Sequence, residues 1–332
     1  MKRHSAALGA AGLLALGTGT AHADIAFTNI VDPLNPTFTQ ALGINDSSTI
    51  VGYGNAMTFN GFELTLPPVP PNFSRVNQNV PGADGGTQVI GISGTGTTVG
   101  FSVTGGVNNG FAQTGGSFTP VDQPGTAFNQ LLGINKSGTV AAGYSSTDPA
   151  GATLQKAYTV SGGPSFTSPT FADINAKLPS NFNSQATGVN DAGTVVGFYD
   201  TTGAGVFSAF EYLAGAPMAT SFQAFGSSST VALGINDLGD IVGDYIGADG
   251  LMHGFLDANG VFTSFDPPGS ISTTANGIND LGQIVGFYTD ANDNTIGFLA
   301  QVPEPATLAL FGSGLAGLAL IRRRRRSRDA TA

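Results

Sequence analysis

The chain has 332 residues and a formal net charge of −10, and its 49 Gly and 18 Pro together make about a fifth of it, against the roughly 12% of an average protein, so turns are frequent. Only 10% of the residues are charged while 41% are hydrophobic and 23 are Phe, which excludes a disordered polar chain and requires a folded core. With no Cys, disulfide staples and thiolate chemistry are excluded, and three histidines, His4, His22 and His253, are too few for a His-rich zinc site.

Residues 1–23 have the three parts of a secretory signal: Lys2 and Arg3, an apolar run over 6–16, and the small-residue site Ala21-His22-Ala23 before Asp24. The apolar run is too short for a bilayer core that needs about 20 residues. Signal peptidase is therefore expected to cut after Ala23, and the mature chain to start at Asp24.

Between residues 24 and 301 one unit recurs six times. Its clearest copies are Gly188-Val189-Asn190-Asp191-Ala192-Gly193, Gly234-Ile235-Asn236-Asp237-Leu238-Gly239 and Gly277-Ile278-Asn279-Asp280-Leu281-Gly282, with weaker ones at Gly43, Gly91 and Gly133. The starting glycines are 48, 42, 55, 46 and 43 residues apart, a period of propeller blades or solenoid coils. Two further segments keep step. One places an aromatic after a small residue (Phe62, Phe111, Tyr158, Phe210, Phe255, Phe298); the other opens on Phe (Phe27, Phe73, Phe118, Phe166, Phe222, Phe262), and in three copies continues to Asp32, Asp122 or Asp266 near Pro.

Each unit reads as a four-stranded meander. The Asn-Asp-x-Gly block suits a tight hairpin, because Asn and Asp bond the local backbone and Gly accepts a positive φ. The following Ile284-Val285-Gly286-Phe287-Tyr288 is apolar on consecutive positions, the pattern of a strand covered on both faces. The phase then decides between ring and stack. The body opens on the Phe27 segment and ends at Gly297-Phe298-Leu299-Ala300, just before such a segment falls due, so each end supplies what the other lacks. A linear solenoid would need capping units instead. The expectation is an all-β, six-bladed β-propeller whose N-terminal strand closes the last blade, flanked by a signal helix and a tail helix.

These repeats resemble the HAF family of probable extracellular repeats, named for a His-Ala-Phe tripeptide that only His253-Gly254-Phe255 approaches here. The resemblance implies the fold and an extracellular location, and no particular activity.

Candidate chemistry within the body is sparse. Asp46, Asp191, Asp237 and Asp280 sit in the hairpin block, where a local Asx hydrogen bond is expected of them, not a catalytic or metal ring. Asp290-Ala291-Asn292-Asp293-Asn294 begins like a calcium loop, but Thr295 stands where that loop needs Gly and Gln301 where it needs an acid, so a polar hairpin is expected, as for 244–250. His253 reads as a packing or turn residue, and no catalytic site, cofactor or metal is assigned. The proline run 67–71 reads as a rigid connector, and the longer stretch 162–185 as the place for a specific binding surface.

The tail is more specific. Val302-Pro303-Glu304-Pro305 is followed by an apolar stretch over 306–321 and then by Arg322, Arg323, Arg324, Arg325, Arg326 and Arg328, a membrane stop that keeps the arginines cytoplasmic and the body outside. At about 1.5 Å per residue the stretch covers roughly 24 Å, which suits a temporary anchor in the inner membrane. This order resembles the PEP-CTERM sorting signal of Gram-negative bacteria. The resemblance implies processing by exosortase, a membrane transpeptidase or protease, and release toward the cell surface or matrix, often in cells that make exopolysaccharide. The Leu-Pro-x-Thr-Gly signal of Gram-positive sortases is absent.

Residues 24–301 hold four basic and 20 acidic residues, a net charge of −16, which repels phosphate backbones and excludes nucleic acid as a natural partner. Two functions remain. The first is a non-enzymatic surface or biofilm-matrix protein that binds exopolysaccharide or another envelope component. The alternative is a carboxylate-dependent carbohydrate-active enzyme on a propeller scaffold, for which Glu63, Glu211 or the many Asp would serve.

Overall fold

A computed structural model of the chain describes residues 25–55, 57–65, 74–179 and 182–302. The expected signal segment with Ala21, Ala23 and Asp24, the proline run 67–71, Phe73, and the tail from Pro303 through Arg326 lie outside the described residues. Among the described residues no helix is long and apolar enough to cross a membrane.

The described residues form six antiparallel four-stranded sheets arranged as a β-propeller. The innermost strands of blades 1 to 6 are Thr39–Ile44, Gly86–Ile92, Phe128–Ile134, Ser184–Val189, Thr230–Ile235 and Ser270–Ile278. Each is followed outward by the apolar Gly-containing strand, the aromatic strand and an edge strand. Blade 6 departs from chain order. Its edge strand is Ala26–Ile30, paired antiparallel with Thr295–Gln301 in a register running from Ala26↔Gln301 to Ile30↔Gly297. The expected closure by the N-terminal strand is therefore present, and Ile30, fully buried, joins a cluster with Phe62 and Val285 that ties blade 6 to blade 1.

The apolar pattern has a plain packing origin. The aromatics at Phe62, Phe111, Tyr158, Phe210, Phe255 and Phe298 are all buried, 2% exposed or less, and burying each stabilises the ring by roughly 1.5–3 kcal/mol. In four blades this ring lies under the Gly of the second strand; a methyl at Gly197 would stand 2.8 Å from Phe210. Outer Phe side chains then pack edge-on, as Phe118 does on Phe111 with centroids 5.3 Å apart and Phe27 on Phe298 at 5.9 Å.

Blade 3 differs from the expected phase. Phe171, on the edge strand Thr170–Asp173, makes the T-shaped contact to Tyr158 at 5.2 Å, while Phe166 sits in the preceding turn, fully buried at a φ of +48°. The insertion had shifted the register by one aromatic. The Pro164 carbonyl accepts the Thr114 hydroxyl at 2.6 Å, and Ile174 and Leu178 are buried against Tyr199 and Phe210, so much of the stretch expected as a binding surface is interblade packing.

Six glycines of the repeat block, Gly43, Gly91, Gly133, Gly188, Gly234 and Gly277, line the axis. A methyl at Gly133 would lie 2.4 Å from the Thr187 carbonyl oxygen, and one at Gly277 would lie 2.8 Å from that of Leu42, so only Gly lets neighbouring inner strands approach this closely. The Gly277 contact crosses from blade 6 to blade 1 and closes the ring.

Candidate functional site

The axial channel has two chemically different mouths. At the hairpin end, the Asn of the repeat does the turn chemistry: Asn236 Oδ1 accepts the Leu238 and Asp240 amides at 3.1 and 2.8 Å, and its Nδ2 donates to the Asn279 carbonyl of the next blade at 3.2 Å. The Asp beside it has another job, which corrects the expected local Asx bond. Asp237 accepts the Asp191 amide, Asp280 the Asp237 amide and Asp46 the Asp280 amide, at 2.8, 2.9 and 2.9 Å, while Asp191 accepts the Ser137 amide. These carboxylates lace one blade to the next.

Blade 3 carries Lys136 at the Asp position. Its ammonium reaches across the mouth to Asp46 at 2.6 Å and Asp280 at 2.5 Å. These hydrogen bonds, that to Asp280 foremost, raise Lys136 well above the ordinary lysine range. Burial acts to raise Asp46, yet Lys136 and the Asp280 amide outweigh it and leave its pKa lowered. Asp237 is raised, by burial first and by its neighbours Asp191 and Asp280. Copy one lacks the turn Gly, and Ser48 takes the left-handed place at a φ of +56°. This mouth is filled by its own charges.

The other mouth is wide. Inner strands begin there, and one repeat position supplies Gln40, Gln88, Gln130 and Gln185, with Val231 and Thr274 in blades 5 and 6. A second layer of Leu42, Ile90, Leu132, Thr187, Leu233 and Asn276 forms the floor of a cavity of 460 Å³, within the range of small-ligand sites. The residue after the second-strand Gly also lines it, as Phe101, Phe198 and Phe287. In blade 5 that residue is Asp244.

Asp244 was expected in a polar hairpin; it lies instead inside the strand Ile241–Ile246, paired with Val231, and is 7% exposed. Loss of solvation pushes its carboxyl up to about 7. No hydrogen bond joins its side chain to another described residue, and no other ionisable group lines the cavity. Asn276 Oδ1, also in the lining, is buried without a partner. Sequence reasoning missed this site. Aligning the six copies on the second-strand Gly would have shown Tyr53, Phe101, Tyr144, Phe198 and Phe287 against Asp244.

The remaining candidates do not converge. His253 Nδ1 lies 2.7 Å from Asp266, its Nε2 is 3.2 Å from both oxygens of Asp249, and its pKa is raised, first by Asp266. This cluster fastens the edge of blade 5. Asp290 accepts the Asn292 and Asn294 amides at 2.8 and 2.9 Å, the hairpin role expected of it. Glu63 accepts from Gln78 at 2.8 Å, and Glu211, raised by burial and then by Asp257, belongs to the outer part of blade 4. Among the described residues no three His, Asp or Glu stand close enough to hold a metal.

Comparison with known proteins bears on the tail and the fold. Residues 301–326 match the model of the PEP-CTERM protein-sorting motif. No curated protein sequence matches the chain. Among solved structures it is similar to TolB from Acinetobacter baumannii (10% identity, TM-score 0.50, 77% of this chain and 64% of that one). It is also similar to Trypanosoma rangeli sialidase (10% identity, TM-score 0.50, 86% and 58%). The β-propeller domain of the Trilobed protease from Pyrococcus furiosus matches at 8% identity, TM-score 0.47, over 81% and 99%. The chain thus spans under two thirds of TolB or of the sialidase, and at such identity the likeness extends to the propeller fold alone.

Proposed function

We propose that the chain is an exported protein of the cell surface or extracellular matrix, sorted through its C-terminal motif by exosortase, whose propeller binds a glycan without reacting with it. The observation that carries the binding half is the wide axial mouth. Carboxamides of Gln40, Gln88 and Gln130 and the rings of Phe101, Phe198 and Phe287 line one cavity, and such groups meet sugar hydroxyls and sugar faces respectively. Exopolysaccharide is the proposed ligand, consistent with a biofilm matrix and with the HAF-type resemblance of the repeats. The sorting half rests on the motif at 301–326. Signal peptidase is proposed to remove residues 1–23, and residues 306–321 with Arg322–Arg326 to anchor the chain transiently in the inner membrane before exosortase acts at Val302-Pro303-Glu304-Pro305. The body 24–301 is proposed as the released domain, working without a cofactor; calcium at 290–294 would be an accessory at most.

One observation bears on the alternative of a carboxylate-dependent glycoside hydrolase or lyase: Asp244 is an enclosed acid raised to about 7, the state of a general acid, but the cavity lining supplies no second carboxylate to pair with it. Incubating the purified protein with the host's exopolysaccharide separates the two. Binding without cleavage is the expected result, and new reducing ends or unsaturated sugars would overturn it.

A further inference from the structure

We propose that the wide axial mouth binds an organic ammonium group with Asp244 as its counter-ion, so that the glycan held there is an amine-bearing one. The saccharide half of this statement rests on the glycan-binding reading above; the ammonium half stands on the cavity itself.

Asp244 is 7% exposed as a residue, and a carboxylate so enclosed costs free energy unless a cation, several donors or water meet it. Within the fold neither does: no Lys, Arg or His lines the cavity, and Asp244 has no side-chain hydrogen bond among the described residues. Its position makes the residue type informative, because five of six copies place an aromatic there and blade 5 alone breaks the pattern with a charge. Packing therefore does not require an acid at this place. Any partner beyond a proton or water has to enter through the mouth.

The rest of the lining selects the kind of cation. A hard metal ion takes six or more oxygens, usually from several carboxylates, whereas Asp244 is the single carboxylate above a floor of Leu42, Ile90, Leu132 and Leu233. An ammonium on a carbon framework fits better. Its N–H groups can satisfy Asp244 and carboxamide oxygens of the Gln layer, and its carbon part meets the faces of Phe101, Phe198 and Phe287. The body's net charge of −16 draws cations toward it. Two sources share this chemistry, an amino sugar whose nitrogen is not acylated and a free polyamine.

Calorimetric titration of the full chain distinguishes them with three probes: β-1,4-linked glucosamine tetramer at pH 7, its N-acetylated counterpart, and spermidine. The expected result is at least tenfold tighter binding of the glucosamine tetramer than of the acetylated one, competition by spermidine, and loss of the preference in Asp244→Asn. Spermidine's two primary ammonium groups stay charged and its central one nearly so up to pH 7.5, so its affinity should strengthen from pH 5.5 to 7.5 in the wild type as Asp244 ionises, and stay nearly flat in the variant. That wild-type series alone tests the counter-ion if the variant fails to fold. Equal binding of both tetramers, unaffected by Asp244→Asn, overturns the ammonium proposal and leaves the glycan reading intact. Asp244-dependent binding of spermidine with no binding of either tetramer overturns the glycan reading and leaves the counter-ion in place. No binding of any probe overturns both.

Discussion

Replacing Asp244 with Asn, nearly the same in shape, should make the ligand-free protein more stable, and only above a certain pH. In the fold the carboxyl is raised to about 7, whereas an unfolded Asp titrates near 3.9. Between those values the folded state keeps a proton that the unfolded state has released, so stability falls as pH rises. Below about 4 the group contributes nothing to the pH dependence, and above about 7 the loss is complete. Three pH units at about 1.36 kcal/mol each give roughly 4 kcal/mol as an upper bound, reduced by whatever water enters through the mouth. For a body of this size each kcal/mol moves Tm by about 2 °C. Thermal unfolding of both proteins from pH 4 to 8.5 should then show curves that meet near pH 4 and diverge to a difference of up to about 8 °C at pH 8. A constant offset across the range would refute the buried, unpaired state of Asp244.

Three other perturbations test other parts of the account. Gly133→Ala would force a methyl to 2.4 Å from the Thr187 carbonyl and should cost about 1–3 kcal/mol or more in denaturant titration; unchanged stability would contradict the closely packed axis. Lys136→Met should raise the titration midpoint of Asp46, read by carboxyl carbon NMR, because burial then acts without its strongest opponent; an unmoved midpoint would mean that the ion pair across the hairpin mouth does not form in solution. Deleting residues 302–332 should leave the propeller's circular dichroism intact and change where the protein accumulates, as fractionation would show, and unchanged surface retention would count against sorting by the tail.

How far the sequence foretold this molecule depends on what repeats and what does not. Gly-Ile-Asn-Asp-x-Gly and the aromatic strand recur because each blade solves the same packing problem, so the fold and its closure by Ala26–Ile30 were legible from period and phase. Which oxygen bonds which amide was not. Asn236 and Asp237 are both turn residues by chemistry, and only the approach of the next blade separates the one that shapes the turn from the one that laces the ring. Phe166 and Phe171 are likewise equivalent in composition, and an insertion decides which reaches Tyr158. The candidate site was hidden for a different reason. Asp244 sits beside Gly247 and Asp249 in sequence and looks like part of their hairpin, while strand alternation turns it to the axis.

Both axial mouths exist only because the ring is closed. In it Thr28 and Leu299 are directly paired, so their Cα atoms stand within reach of a disulfide, and the chain has no Cys of its own to confuse the result. Thr28→Cys combined with Leu299→Cys should oxidise to a single intrachain bond, migrate faster without reductant, and raise Tm. If the two thiols stay free under oxidation while the protein remains folded, the terminal strands do not meet and the propeller is not closed in the way described.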